Sequence, residues 1–447
     1  MSLPAFFARL GIASLLMVTT SGLVHAQTRL FIANQGGNVG ILKANTGTPI
    51  GSVSVSGALL GIATHRVQPI VFVTSSSANL VHAVSGNAVL WSVATGSRPH
   101  GVAVSRLGTE LIVANLGDNS VTLIDVGSRT ATATIPVGMA PTGVAASPTT
   151  QRVYVANAGS ASISVIDIDT RTVVATWSTS NFPLDNPVDS PVGLAVSPDG
   201  AKLYVANSGS ASVSVHDTVT GSETARVSVG GFPSGIAVSP DGTRVVVANG
   251  FDGSASIIDA TSNALIGTIN GIGALPAGVA IASDSTEAYV VSAGSNSFSR
   301  IELGSLAVTP GLGPTGAQPA NLGTFYIADT SSSCTLDIDG NGGAPDAATD
   351  GMLVLRYLLG FRGTGLTSGA VGFGATLTDA QIETRLASMT FDFDGNHTDR
   401  AATDGLMLVR LMLGIRGSAL GNAAGGTPEA TLLANVRAQH GDGCFPP

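Results

Sequence analysis

The side chains best suited to chemistry in this chain are acidic, and they occur in two copies. In LDIDGNGGAPDAATDGMLVLRYLLGFRG, residues 336 to 363, Asp337, Asp339 and Asn341 fall on alternate positions. In FDFDGNHTDRAATDGLMLVRLMLGIRG, residues 391 to 417, Asp392, Asp394 and Asn396 do the same. Alternate oxygen-bearing side chains on a tight loop converge on one point, an arrangement that suits a hard cation. Asp346 and Asp350 follow in the first copy, and Asp399 and Asp404 in the second. A carboxylate cluster written twice is costly unless something neutralises it. Asp/Gly turns that cap helices without metal are the alternative.

Elsewhere the chemistry-bearing residues do not converge by spacing. The position before a recurring Gly holds Leu60, His100, Thr142, Val192, Ser234 and Ala277. Only His100, with Arg98 close by, has a chemically capable side chain there, and its expected place is a loop. His65, His82 and His216 fall at different repeat phases and predict no metal cluster. Asp125, Asp167, Asp217 and Asp259 share one phase, each ending a strand before a turn, where Asp bonds its own backbone. The recurring Asn of the YVAN stretches reads the same way. No Ser-His-Asp arrangement or phosphate loop follows from spacing, so no catalytic or cofactor-binding residue is assigned.

The elements that must carry these residues are repeats. LYVANSGSASVSVHD at 203 to 217 echoes VYVANAGSASISVID at 153 to 167, and FIAN, LIVAN and VVVAN begin at 31, 111 and 245. Weaker copies are VFVTS at 71 to 75 and AYVVS at 288 to 292. A second signature, Gly, a branched residue, then Ala, begins at Gly61, Gly101, Gly143, Gly193, Gly235 and Gly278. A period of about 42 residues built from four short strands marks propeller blades. The Gly and Ala of each first strand (Gly193 and Ala195, Gly235 and Ala237) fit a crowded place near an axis, with Leu194 and Val196 filling the opposite face against the neighbouring blade. Pro198-Asp199-Gly200 and Pro240-Asp241-Gly242 suit a tight turn. The longer step between Gly143 and Gly193 reflects an insertion around NFPLDNPVDS, 181 to 190, that should project from one face. Six units are complete. The N-terminal LFIAN brings three strands without a first one, and LGTFYIAD at 322 to 329 is a strand left over, so the two ends share a seventh blade.

Through AVSPDG, YVAN and VID followed by a turn, the chain resembles the YVTN family of seven-bladed β-propeller repeat proteins over roughly residues 29 to 330. The resemblance implies a propeller of four-stranded blades and speaks little to activity, because that family contains many binding and surface proteins.

The duplicated acidic segments resemble the calcium-loop repeats of dockerin and EF-hand type domains. The resemblance places Asp337, Asp339 and Asn341, and Asp392, Asp394 and Asn396, at loop positions 1, 3 and 5. Asp350 and Asp404 supply the closing carboxylates at the start of the following helices, and Asp346 and Asp399 contribute through water, giving two calcium sites. The closing residues come one or two positions later than the twelfth of an EF-hand loop, and His397 stands where the first copy has Gly342. Helices are expected through Arg356 and Arg410, ending at Gly360 and Gly414. Two more are expected in TDAQIETRLASM, where Thr378 and Gln381 make a capping box, and in TPEATLLANVRAQ, with Pro428 in the first turn. Their apolar stripes read as core packing.

Composition sets the setting. Among 447 residues 44% are hydrophobic and only 11% charged, and the formal charge of -9 leaves no basic field for nucleic acid or an anionic membrane. Arg9 precedes an apolar run from Leu10 to Val18, and Val24-His25-Ala26 offers a signal peptidase site, so cleavage is expected after Ala26. No later stretch is long and apolar enough for a membrane span. The two cysteines, Cys334 and Cys444, are too few for a four-ligand zinc site. In an oxidising compartment they predict one disulfide clasping the ends of the small domain, with a stabilisation on the order of 4 kcal/mol for so long a loop.

The sequence therefore predicts a signal peptide at 1–26, a mainly β domain at 27–330 (a seven-bladed propeller of four-stranded blades) and a small α-helical calcium-loop domain at 331–447. The mature protein is expected to be secreted, periplasmic or at the cell surface. The leading expectation is a non-catalytic binding or scaffold protein with a protein or polysaccharide partner. The alternatives are a member of a carbohydrate-degrading assembly docking through the small domain, and a propeller enzyme such as a lactonase or quinoprotein-like dehydrogenase.

Overall fold

A computed structural model describes residues 29–65, 70–179, 189–319 and 327–328, and in the C-terminal part 350–359, 361–362, 364–368, 377–387 and 389. Through residue 328 the chain forms seven four-stranded antiparallel sheets, the blades of a propeller. Blades I to VI span residues 59–94, 99–136, 141–178, 191–228, 233–270 and 276–312. In each, the first strand lies at one edge of the sheet and the fourth at the other, and the first strands of successive blades pack side by side around the axis.

Blade VII joins the two ends of the propeller. Arg29–Asn34, Asn38–Lys43 and Pro49–Ser54 supply three strands, and Ile327–Ala328 supplies the fourth, with Arg29 opposite Ala328 and Leu30 opposite Ile327. A ring built from one chain needs such a clasp, since a gap between first and last blades would expose two apolar sheet faces to water.

The burial pattern follows from sheet-on-sheet packing. Second strands such as Leu203-Tyr204-Val205-Ala206-Asn207 are buried throughout, because a blade is covered on both faces and alternation disappears. Outer strands such as Thr172–Ser178 alternate strictly between exposed and half-buried residues, as an edge with one wet face should. Between blades III and IV lie Tyr154, Ala156, Ile163, Leu194 and Leu203, with Val196 and Trp177 at the margin. Leu194 and Val196 thus fill the face toward a neighbouring blade, as their pattern predicts.

The recurring Gly of the inner strands answers to a clash. A Cβ on Gly193 would overlap the carbonyl oxygen of Ser234 in the next blade. The same holds for Gly61 against His100, Gly101 against Thr142, Gly143 against Val192 and Gly235 against Ala277. Each inner strand also breaks register beside this Gly, as where Pro99 faces Asn115 but Val102 faces Val113. The bulge turns the residue before Gly toward the adjoining blade. In the Ser-Pro-Asp-Gly turns, Gly200 and Gly242 take φ of 75° and 72°, the left-handed geometry that closes them.

Apart from blade I, the blades share a device at the approach to the inner strand. Arg98, Ala140, Ser190, Phe232, Leu275 and Gln318 all adopt positive φ, between 47° and 56°, immediately before a Pro. One left-handed residue reverses the chain as it passes from the outer strand of one blade to the inner strand of the next.

In the C-terminal part, three helices are described: α1 (Asp350–Leu358), α2 (Thr364–Thr367) and α3 (Asp379–Ala387). Leu353, Val354, Leu366, Ile382 and Leu386 are fully buried. Arg356 ties α1 to the end of α2 through the carbonyls of Leu366 at 3.1 Å and Ser368 at 2.7 Å. The capping box forms as expected: the Thr378 backbone N–H donates to Gln381 Oε1 at 2.8 Å and the Gln381 N–H to Thr378 Oγ1 at 3.4 Å. No described helix is long and apolar enough to cross a membrane.

Candidate functional site

Where the inner strands end and their turns begin, the axis of the propeller opens into a funnel of about 380 Å³. Its wall is the inner strands and their turns, where Ala63, Ala103, Ala145, Ala195 and Ala237 of the Gly-x-Ala signature stand beside branched residues such as Val104, Val196, Val238 and Ile281. Pro148, Pro198 and Pro240, the prolines of three equivalent turns, form part of the rim. Among the described lining residues none is ionisable, and the hydroxyl of Thr64 is the one polar side-chain group.

The carboxylates nearest this rim in sequence belong to the turns themselves. Asp199 accepts from the Ser197 hydroxyl at 2.5 Å and the Ala201 N–H at 3.0 Å. Asp241 accepts from the Ser239 hydroxyl at 2.5 Å and the Thr243 N–H at 2.9 Å. Their pKa values are lowered, Asp199 chiefly by its bond from Ser197. For Asp241, burial opposes that shift and the bonds from Ser239 and Thr243 overcome it.

His100 sits on the inner strand Pro99–Val104 of blade II rather than in a loop. Burial holds its imidazole down to about 4, a bond with the Thr142 backbone opposes that shift, and Arg98 adds to it. The bond crosses between blades, and two equivalent residues do the same. Thr142 Oγ1 donates to the Val192 carbonyl at 3.3 Å, and Ser234 Oγ to the Ala277 carbonyl at 3.1 Å. Thr74 Oγ1 donates to the His100 carbonyl at 2.5 Å. The residue before the repeat Gly is therefore a stitch between blades wherever it can donate a hydrogen bond. At this position the buried imidazole of His100 faces the Thr142 backbone, and its Nδ1 has no hydrogen-bond partner among the described residues.

The other histidines are also embedded in blades. His82 Nδ1 meets Ser92 Oγ at 2.7 Å, His65 Nε2 meets the Gly108 carbonyl at 3.1 Å, and His216 bridges Ser214 Oγ at 3.1 Å and the Gly221 carbonyl at 3.2 Å. His216 further stacks on Trp177, ring centroids 6.2 Å apart. No three His, Cys, Asp or Glu side chains converge among the described residues.

The repeat carboxylates and amides are bound within their own blades. Asp217 accepts from the N–H groups of Val219 and Thr220 at 3.0 and 2.8 Å, and Asp259 from those of Thr261 and Ser262 at 3.1 and 2.9 Å. Asp125 and Asp167 bond Ser128 and Thr170 in the same way. The repeat Asn side chains are buried and tie two neighbouring strands: Asn157 Nδ2 donates to Ser162 at 3.2 Å and Ser164 at 3.0 Å, and Asn249 Nδ2 to Ser254 at 3.0 Å and Ser256 at 2.9 Å.

Of the acidic duplication, Asp350 begins α1, as its spacing predicts. Asp337, Asp339, Asn341, Asp346, Asp392, Asp394, Asn396, Asp399, Asp404, Cys334 and Cys444 lie outside the described residues. The funnel itself is not apparent from a search for reactive side chains, because Ala, Pro and branched aliphatic residues line it. Its signal is the recurrence of Ala two residues after the axial Gly.

Residues 73–271 match the family model "Lactonase, 7-bladed beta-propeller". No curated protein matches the chain. Among solved structures it is similar to the Kuenenia stuttgartiensis hydrazine synthase, with a TM-score of 0.53 at 20% identity over 61% of this chain and 92% of that one. It is also similar to a functionally unknown protein from Desulfotomaculum acetoxidans DSM 771, with a TM-score of 0.55 at 15% identity over 68% of this chain and 99% of that one. Both likenesses concern the fold.

Proposed function

We propose that the protein is an exported binding propeller, whose blades present a broad neutral surface to a protein or polysaccharide and whose C-terminal module is stabilised by calcium. The observation that carries this reading is the use made of the repeat polar residues. The Asp, Asn and His side chains that recur or stand out in the sequence bond their own turn, their own blade or the next blade. The scaffold's polar groups thus hold its shape, and recognition falls to loops that differ between blades.

The C-terminal module is proposed to hold two calcium ions through Asp337, Asp339, Asn341, Asp346 and Asp350, and through Asp392, Asp394, Asn396, Asp399 and Asp404. Supporting this is the placement of Asp350 at the first residue of α1, where a loop-closing carboxylate belongs. Bound there, calcium would neutralise the clustered carboxylates and fix the loops, and the Cys334–Cys444 disulfide would close the module.

A second reading, hydrolysis of a lactone ring, is favoured by the family match over residues 73–271. The test sets the two side by side. Mature protein is applied to insoluble polysaccharides and to immobilised cell-envelope fractions, with calcium or with chelator, and the same preparation is assayed on a panel of aliphatic and sugar lactones. Saturable retention, with lactone opening no faster than in buffer, supports the binding propeller. Saturable lactone opening with no retention replaces it with the enzyme.

A further inference from the structure

We propose that the junction of Asn270 and Gly271 is a site of spontaneous covalent modification, where the asparagine exchanges its amide for a carboxylate and leaves aspartate and isoaspartate at the outer edge of blade V. The reaction needs an Asn side chain free to swing onto the following backbone nitrogen, and a following residue with no side chain in the way. The chain carries this dipeptide at Asn249–Gly250, Asn270–Gly271 and Asn341–Gly342, the last outside the described residues. The first two stand in the same blade and in opposite environments.

Asn249 is fully buried, its Nδ2 donates to Ser254 and Ser256, and the Gly250 N–H donates to the Phe232 carbonyl at 2.9 Å. Side chain and nitrogen are both held. Asn270 instead ends the outer strand Ala264–Asn270, and residues 270 and 271 are both exposed. In blades I to IV and VII the amide just after the outer strand donates to the carbonyl just before the third strand, as Val137 does to Asn119 and Val229 to Ala211 at 3.0 Å. Gly271 takes a φ of 75° and makes no such bond among the described residues. A Cβ built on it would meet nothing within 4 Å, so its nitrogen lies in open space at a strand end that is free to fray.

Solvent hydroxide removes the proton of the Gly271 N–H, and the nitrogen attacks Cγ of Asn270. The new N–Cγ bond closes a five-membered imide as the Cγ–Nδ2 bond breaks, and ammonia leaves with a proton taken from water. Water then opens the imide, at the side-chain carbonyl to give aspartate or at the main-chain carbonyl to give isoaspartate. Either product sets a carboxylate opposite Ser254. Isoaspartate also lengthens the backbone just before Ile272, whose carbonyl accepts from Ser292 at 2.8 Å and Ser299 at 2.9 Å.

The experiment incubates the full chain at mildly alkaline pH, folded and in guanidinium chloride, and then digests it at arginine. Cleavage after Arg244 and Arg300 leaves both described Asn-Gly pairs on one peptide. Fragment masses then assign each gain of about 1 Da to its residue. In the folded chain, position 270 is expected to convert about tenfold faster than position 249 or more, because only the latter waits for the blade to open. In denaturant the two are expected to convert at similar rates. Asn270→Gln, whose imide would need a six-membered ring, is expected to abolish the folded-state gain. Equal conversion at the two positions in the folded chain overturns the proposal. So does an unchanged position 270 over a time in which the denatured chain converts, and so does a gain that persists in Asn270→Gln.

Discussion

The guanidinium of Arg226 meets the carboxylate of Asp189 at 3.1 Å and the carbonyl of Thr179 at 2.7 Å. Thr179 and Asp189 are the two described residues bounding the insertion between blades III and IV, so one side chain on the outer strand Glu223–Ser228 holds both ends of the extra segment. Glu223 pairs with the same guanidinium at 2.8 Å and orients it.

Arg226→Ala is expected to destabilise the propeller by about 3 kcal/mol, because it strands the carboxylate of Asp189, a residue only 5% exposed, without its counter-ion. Asp189→Asn in the same background is expected to recover part of that loss. Urea unfolding of the two single variants and the double variant measures the coupling. Additive effects would show that the pair does not act as a unit. Arg226→Lys is expected to rescue little, since an ammonium cannot reach Thr179, Asp189 and Glu223 with a planar fork.

Gly193→Ala tests the axial packing. Its Cβ would overlap the Ser234 carbonyl of the next blade, and backbone cannot step aside as a side-chain tip can. A loss of about 3 kcal/mol or failure to fold is expected. Gly304→Ala, with nothing within 4 Å of its Cβ, is expected to change stability by less than about 1 kcal/mol. Thermal unfolding of the two proteins side by side decides whether the axial Gly is required by contact or merely tolerated.

Asn249→Ala is expected to cost about 2 kcal/mol, since it removes the donor that ties Ser254 and Ser256 and leaves buried hydroxyls to find other partners. Asp259→Ala removes bonds in a turn that water can replace, and is expected to cost less than Asn249→Ala. Equal losses in chemical unfolding would remove the distinction between a strand-tying Asn and a turn-capping Asp.

Blade count and closure were legible because period and strand pattern are local: the Gly-x-Ala and YVAN stretches mark first and second strands, and LFIAN lacks a first strand that LGTFYIAD supplies. The turn roles of Asp217 and Asp259 were legible for the same reason, their partners lying within three residues. The capping box at Thr378 and Gln381 is likewise written in four consecutive residues. Long-range pairings were hidden. Nothing near Arg226 in the sequence points to Thr179, 47 positions away, and His100 reads as a loop residue until the bulge beside Gly101 turns it toward Thr142. The funnel was hidden for another reason. Its wall is lined almost wholly by Ala, Val, Leu, Ile and Pro, residues that periodicity assigns to packing and turns.

The histidines give the propeller a calculable response to acid. Burial depresses the pKa of His82, His100 and His216, in the case of His100 to about 4. A group depressed on folding favours the native state above its unfolded pKa, and that contribution is lost as pH falls toward the folded value. For His100 the window runs from about pH 6.5 down to about 4, and the loss across it is on the order of 3 kcal/mol. The depressed carboxyls Asp125, Asp217 and Asp259 lose their contributions below their ordinary value of 3.8, beneath most of the histidine window. Glu110, raised by burial, runs the other way near its ordinary 4.5 and partly offsets the histidines. His100→Gln keeps a neutral donor that can face Thr142 and removes the titration. Urea midpoints at pH 7.5, 6 and 5 are therefore expected to fall more steeply for the natural chain than for His100→Gln, while the two agree at pH 7.5 within about 1 kcal/mol. Parallel curves would mean that burial does not depress the titration of His100 in solution.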